Sequence, residues 1–136
     1  MNKILLLVCF ATISATCFAQ KKLTKETFEI IKLNNNGKKL NVATNKTEIR
    51  FDYKGKAING NASCNNFFGK LTISKPEKKK GKIKIEAIGS TKMFCDNMEV
   101  EDATFKLLKE VDNFKRKGDK FFLRKGRKVL MELRRK

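Results

Sequence analysis

Hydrophobic and polar residues alternate along much of this chain with the period of two that is typical of half-buried β-strands. In the segment 47–53, for example, Ile49, Phe51 and Tyr53 fall on one face, and polar residues fall on the other. The predicted strands are residues 28–33, 47–53, a strand beginning at 57–59, 67–73, 82–88, 113–116, 120–124 and 129–133. The pattern therefore predicts a mainly β protein built from many short strands.

Turn-forming residues separate these segments. Asn34–Gly37 is predicted to be a turn, because Asn and Gly tolerate a positive φ. Lys78–Lys80 lies near Pro76, the only proline, and is expected to form a solvated hairpin loop. Lys117–Asp119 and Lys125–Arg127 each contain a glycine, so the last three strands are expected to form a meander.

The period changes between Asp96 and Phe114, where mostly apolar residues recur at the spacing of an amphipathic helix. The residues of this stripe are Val100, Ala103, Thr104, Leu107, Leu108 and Val111. We expect one α-helix over about 96–112, packed through this stripe on the sheet. Asp96 and Glu99 have the spacing of a capping box at its start.

Many short antiparallel strands with one helix place the chain in the α+β class, with β structure predominant. Closure of the strands into a small barrel would leave no unpaired edge. The alternative is an open sheet with the helix on one face.

The N-terminus reads as a secretory signal. Lys3 precedes the apolar run Ile4–Phe10, and Cys17–Ala19 places small residues at the positions expected before a cleavage site. The run is shorter than the roughly 20 apolar residues that span a bilayer. We expect a signal peptide at 1–19 and a single domain at 20–136, located in the periplasm or cell envelope. A buried N-terminal element, or a lipoprotein acylated at Cys17, is the alternative.

Removal of residues 1–19 would take Cys9 and Cys17 away and leave Cys64 and Cys95. An exported protein meets an oxidising compartment, where thiols pair. We therefore expect a disulfide, which would stabilise the fold by roughly 3–4 kcal/mol in the chain-entropy model. Two buried free thiols are the alternative.

The chain is strongly basic, with 32 Lys and Arg against 14 Asp and Glu, a formal net charge of +18. Such a charge attracts anionic lipids, acidic polysaccharides and nucleic acids. Lysine greatly outnumbers arginine, whereas base-specific reading relies on arginine, asparagine and glutamine. We expect no specific nucleic-acid partner. A solvated surface and a surface that contacts an anionic envelope partner both remain open.

The chain contains no histidine. This excludes a Ser-His or Cys-His nucleophile within the chain and makes a structural zinc site unfavourable. The acidic group Asp96, Glu99, Glu101 and Asp102 is accounted for by the positive end of the predicted helix dipole. We therefore predict no catalytic residue, no metal site and no cofactor.

Two cysteine-containing segments, Asn59–Gly69 and Ser90–Cys95, resemble the two motifs of the META domain family, which includes HslJ-type envelope proteins. The matching residues are Gly60, Cys64, Asn65, Gly69, Ser90, Thr91, Met93 and Cys95. Ser63 stands where the family usually has glycine, and Lys92 stands where it usually has arginine. The resemblance covers roughly residues 58–133.

The resemblance implies a lipocalin-like, partly closed barrel with one helix. It also implies an exported, non-enzymatic protein associated with envelope stress or antibiotic tolerance through a partner or ligand. The motif cysteines would join the start of the helix to a strand bend. Alternatively, a polar rim of Asn65, Asn66, Thr91 and Lys92 would contact a partner. A basic adaptor for anionic envelope polymers, an enzyme inhibitor and a small-ligand carrier are the other functions considered.

Overall fold

Nine strands and one helix make up the part of the chain that the computed structural model describes, residues 22–43 and 46–136. The strands are β1 (Lys25–Asn35), β2 (Lys38–Asn41), β3 (Glu48–Asp52), β4 (Ala57–Asn61), β5 (Asn66–Ile73), β6 (Lys80–Ser90), β7 (Asn113–Lys117), β8 (Lys120–Lys125) and β9 (Lys128–Arg135). Helix α1 (Glu99–Glu110) lies between β6 and β7. The predicted signal, with Cys9 and Cys17, lies outside the described residues.

The strands close into a barrel through β1. Residues 25–28 of β1 pair with β3, and residues 28–33 pair with β9, both antiparallel. The ring of β1 and β3 to β9 therefore has eight strands, and β2 is a short addition alongside the end of β1. The predicted closure and the mainly β class are confirmed, and the open sheet is wrong.

Large apolar side chains fill the barrel. Phe28, Phe51 and Phe121 are fully buried, and their ring centroids lie 5.1–5.6 Å apart. Phe114 stacks on Phe121 at 5.1 Å. An eight-stranded barrel can be filled by its own side chains or can enclose one small ligand, and here this set of aromatic rings fills the space.

Helix α1 covers the end of the barrel at which β1 finishes and β5 starts. Its apolar stripe buries Ala103, Leu107 and Leu108, and Phe105 meets Phe67 of β5 edge to face at 5.8 Å. On the exposed side, Lys106 donates a hydrogen bond to Asn35 at the end of β1. No helix among residues 22–43 and 46–136 has the length and apolar character needed to cross a bilayer.

The helix is shorter than predicted, and the predicted capping box is wrong. Met98 occupies the N-cap without a side-chain cap hydrogen bond, and the amide of Glu99 donates to Asn97 instead of Asp96. Cys95 is tied to Cys64, as described below, and the backbone bends at Asp96, so these residues do not continue the helix towards the N-terminus.

Strand β2 was missed by the sequence analysis, because its four residues KKLN carry little alternation. It follows the predicted turn, in which Asn36 and Gly37 have φ of 52° and 85°. The strand pair on either side of the lysine loop and the C-terminal meander of β7, β8 and β9 match the predictions.

Candidate functional site

The two cysteine segments meet at the end of the barrel covered by α1. Cys64 lies in the turn between β4 and β5, and Cys95 lies in the connection from β6 to α1. They form a disulfide with a Cα–Cα distance of 6.2 Å. The bond ties the approach to the helix to the turn between two barrel strands, which is the place that the motif interpretation gave it.

Asn65 holds the same connection through its side-chain amide, which is buried. Its Oδ1 accepts hydrogen bonds from the Met93 amide at 2.7 Å and from the Thr91 hydroxyl at 2.8 Å. Its Nδ2 donates to the Met93 carbonyl at 2.9 Å and to Glu101 at 2.8 Å. The amide therefore bonds both backbone groups of Met93, as a neighbouring strand would, and every donor and acceptor of the amide is used.

Glu101 completes this polar cluster from the first turn of α1. Its carboxylate is buried and accepts hydrogen bonds from the Asn65 backbone amide at 3.0 Å and from the Asn65 side chain. The sequence pattern places Glu101 at the positive end of the helix dipole and does not predict this contact. A signal was present, because Glu101, Thr104 and Leu108 share the buried face of the helix at spacings of three and four.

The predicted polar rim is only partly exposed. Asn66, Thr91 and Lys92 are exposed, but Asn65 is 2% exposed and faces the interior. Asn65 is therefore an internal support and does not belong to a contact surface. Asn65 is buried because its side-chain amide forms hydrogen bonds with the backbone of Met93 in the connection from β6 to α1.

The motif glycines allow close packing of neighbouring strands. Gly60 lies inside β4, where an added Cβ would come within 1.9 Å of the Glu48 carbonyl oxygen of β3. Gly69 lies in β5, beside an irregularity in its pairing with β6, where a Cβ would meet the Glu86 carbonyl at 3.0 Å. Gly69 therefore lies at a bulge-like irregularity, whereas Gly60 allows a close backbone approach within a strand. Ser90 pairs with Phe67 across the same two strands.

Ser63 adopts a φ of 101°, in the region that glycine favours. Its backbone amide donates to Asn61 at 2.9 Å, which holds the turn in this conformation. A glycine at this position, as in the related motif, would adopt this conformation without strain.

Above this support lies an exposed apolar tip, which we define as Met93 and Phe94. Met93 is 59% exposed and Phe94 is 90% exposed. The backbone is nevertheless held on both sides of Phe94, by Asn65 at Met93 and by the disulfide at Cys95. The protein therefore presents a large aromatic side chain to solvent from a restrained loop.

A second polar cluster closes the opposite end of the barrel. Tyr53 donates to Glu26 at 2.5 Å, and Arg116 contacts Glu26 with both terminal nitrogens, at 3.0 Å from Nη1. The Arg116 guanidinium lies 4.6 Å from the centre of the Phe121 ring, and Arg135 lies 3.3 Å from Glu26. Nothing in the sequence analysis identified this cluster, because its members are distant in sequence and meet only through barrel closure.

Burial raises the pKa of Tyr53 above its ordinary value of 10.0, and the hydrogen bond to Glu26 acts in the same direction. Burial is the largest single influence on Arg116 and opposes its charge, but the hydrogen bonds and charge interactions with Glu26 and Tyr53 together outweigh it and raise the pKa of Arg116. The phenol thus stays neutral and the guanidinium stays charged. This pairing stabilises the barrel end.

The described residues contain no cluster of three metal-ligating His, Cys, Asp or Glu side chains. One recess of the described surface is an open groove, lined by residues that include Lys32, Asn34, Lys39 and Leu130.

Comparison with known proteins gives one family and one fold neighbour. A family model described as the META domain matches residues 21–136. A structure described as the NMR structure of the protein from Burkholderia xenovorans has a similar fold, with a TM-score of 0.62 and 16% identity over 83% of this chain and 81% of that chain. A comparison with curated proteins finds no match.

Tyr53 is the only tyrosine and the chain has no tryptophan, so tyrosinate absorbance reports this one side chain. We expect no tyrosinate signal from the folded protein near pH 10, where the urea-unfolded chain is half-titrated. Because the folded pKa is raised, the associated stability is present below the unfolded pKa and is lost as the pH rises above about 10. Equal half-titration points in the folded and unfolded chains would contradict the buried cluster. Tyr53→Phe is the control and should remove the signal.

Ser63→Gly should stabilise the protein by about 1 kcal/mol, because it relieves a left-handed backbone conformation. The measurement is the midpoint of urea unfolding under oxidising conditions. Ser63→Ala keeps the Cβ and should give no gain. A loss of stability in the glycine variant would show that the Ser63 side chain is needed at this turn.

Proposed function

The chain belongs to the META domain family, and from this premise we propose that it is a non-enzymatic binding protein of the cell envelope. In this proposal it supports tolerance of envelope stress or of antibiotics by binding a partner protein through the Met93–Phe94 tip. The META domain is not a known enzyme family.

The observation that carries the proposal is the exposure of Phe94 on a restrained backbone. Burying a phenylalanine side chain against a partner contributes about 1.5–3 kcal/mol. A loop that is already ordered loses little conformational entropy on binding. Cys64–Cys95 and Asn65 supply that order in the unbound protein. Aromatic side chains of this kind are frequent centres of binding energy in interfaces.

The packed interior supports surface binding over carriage of a small ligand. A carrier of the lipocalin type needs an apolar cavity, and here Phe28, Phe51, Phe114 and Phe121 occupy the corresponding space. The same packing makes the barrel a rigid support for the exposed Met93–Phe94 tip.

The envelope location is proposed from the N-terminal sequence. The apolar run Ile4–Phe10 and the small residues before Gln20 fit an export signal. A disulfide between Cys64 and Cys95 is compatible with an oxidising compartment.

Intact mass of the protein isolated from its own cells tests export. We expect a chain that begins at Gln20 and whose cysteines react with an alkylating reagent only after reduction. A chain beginning at an acylated Cys17 would instead indicate a lipoprotein. A chain that retains Met1 and has free thiols would contradict export.

Replacement of the apolar tip tests the binding function. In a strain that lacks the gene, we expect wild-type protein to restore growth under envelope stress and Phe94→Ser to fail. Phe94 is almost fully exposed, so the variant should keep the unfolding midpoint and the disulfide of the wild type. Lys54→Ser, an exposed change in the β3–β4 turn, is the matched control and should restore growth.

Full restoration by Phe94→Ser would exclude the tip as the functional contact. Absence of any growth defect in the strain that lacks the gene would contradict the stress role itself. The first outcome tests whether the tip is the binding surface, and the second tests whether the protein acts in stress tolerance at all.

A further inference from the structure

The positive charge of the protein is concentrated in its last quarter. Residues 113–136 contain eleven Lys and Arg and only two acidic residues, Asp119 and Glu132. Because side chains alternate across a strand, β7 and β8 place several of these cations on the outer face of the barrel, beside the outward lysines of β6. The outward cations of these three strands are Lys80, Lys82, Lys84, Lys115, Lys117, Lys120 and Arg124.

Several of these cations lie directly opposite each other on neighbouring strands. Lys80 pairs with Lys115 across β6 and β7, and Lys117 pairs with Lys120 across β7 and β8. Like charges in this position destabilise a sheet. Lys120 has an acidic partner at 2.8 Å in Glu132, but Lys80, Lys115 and Lys117 have none among the described residues. Fold stability alone does not account for this arrangement.

The cations border a shallow groove on the outside of β7, β8 and β9. The groove has a volume of about 320 Å³ and is lined by Lys115, Lys117, Phe122, Arg124, Arg127 and Val129. Its lining contains four cations, two apolar side chains and no acidic group. Val129 is 40% exposed, and the buried Nε of Arg124 has no hydrogen-bond partner among the described residues.

We propose that this groove binds the phosphate headgroups of an anionic lipid membrane. Its four cations can pair with phosphate groups, and a basic cluster near a membrane gains binding energy from each lysine or arginine. Phe122 and Val129 can contact the apolar acyl region that lies beneath the phosphates of a lipid surface. This face is distinct from the Met93–Phe94 tip, so the inference goes beyond the proposed function and depends only on export to a lipid surface.

The groove chemistry favours lipid over nucleic acid. Single strands are held by several aromatic side chains on which successive bases stack. The groove offers one aromatic ring, Phe122, and it is half-buried between strands. Lysine, which predominates here, binds phosphate as a point charge without reading a base.

Co-sedimentation of the chain spanning residues 20–136 with vesicles tests the inference. The probes are phosphatidylcholine vesicles with and without phosphatidylglycerol. We expect binding only to the anionic vesicles and weaker binding at high salt. The double variant Lys115→Gln and Lys117→Gln should lower the partition coefficient about 10- to 30-fold.

The matched control is Lys54→Gln with Lys70→Gln, which removes the same charge from exposed positions on the other side of the barrel. It should lower binding by no more than about threefold, since these lysines lie away from the groove. An equal loss in both double variants would overturn the proposal, because binding would then depend on net charge alone.

Competition distinguishes the possible sources of phosphate. Soluble polyphosphate or a single-stranded DNA oligonucleotide, at the same phosphate concentration, should displace the protein from vesicles only weakly. Val129→Ser should lower vesicle binding without affecting binding to the soluble polymers. Tighter, groove-dependent binding to either polymer would overturn the lipid assignment.

Phe94→Ser should bind vesicles like the wild type, which keeps this test independent of the proposed partner contact.

Discussion

Closure of the barrel depends on β1, because this strand of 11 residues pairs with β3 near its start and with β9 along its centre. Without both pairings, β3 and β9 would be open edges that invite association with other chains. The same strand also contributes contacts at both ends of the barrel. Glu26 at its start joins Tyr53 and Arg116, while Asn35 at its end contacts Lys106 of the helix.

At the helix end, polar groups are buried in order to hold a loop. Burying the carboxylate of Glu101 is unfavourable unless hydrogen bonds replace the lost water. Asn65 provides them with its backbone and its side chain, and the same side chain bonds both backbone groups of Met93. With the Cys64–Cys95 bond, these contacts restrain the loop independently of Phe94, whose side chain takes no part in the core.

The apolar tip and the basic groove lie on different elements, and the two proposed contacts rely on different forces. Binding at the tip, in the connection from β6 to α1, would gain free energy by removing apolar surface from water, which salt affects little. Binding at the groove on β7, β8 and β9 would act through charge, which salt screens over about 10 Å at moderate ionic strength. The protein therefore has two surfaces that can be perturbed one at a time.

Local patterns determined much of the fold. Alternation in β3 and β6, the Asn36–Gly37 turn and the stripe of α1 each depend on neighbouring residues, so the sequence by itself was sufficient to predict them. The cysteine segments were likewise recognisable in the sequence. Only the tertiary structure decided the polar cluster of Glu26, Tyr53 and Arg116, the burial of Asn65 and the opposed lysines. These depend on strand register and on barrel closure, which bring together residues as distant in sequence as Glu26 and Arg116, 90 positions apart. No local pattern encodes which distant side chains will meet.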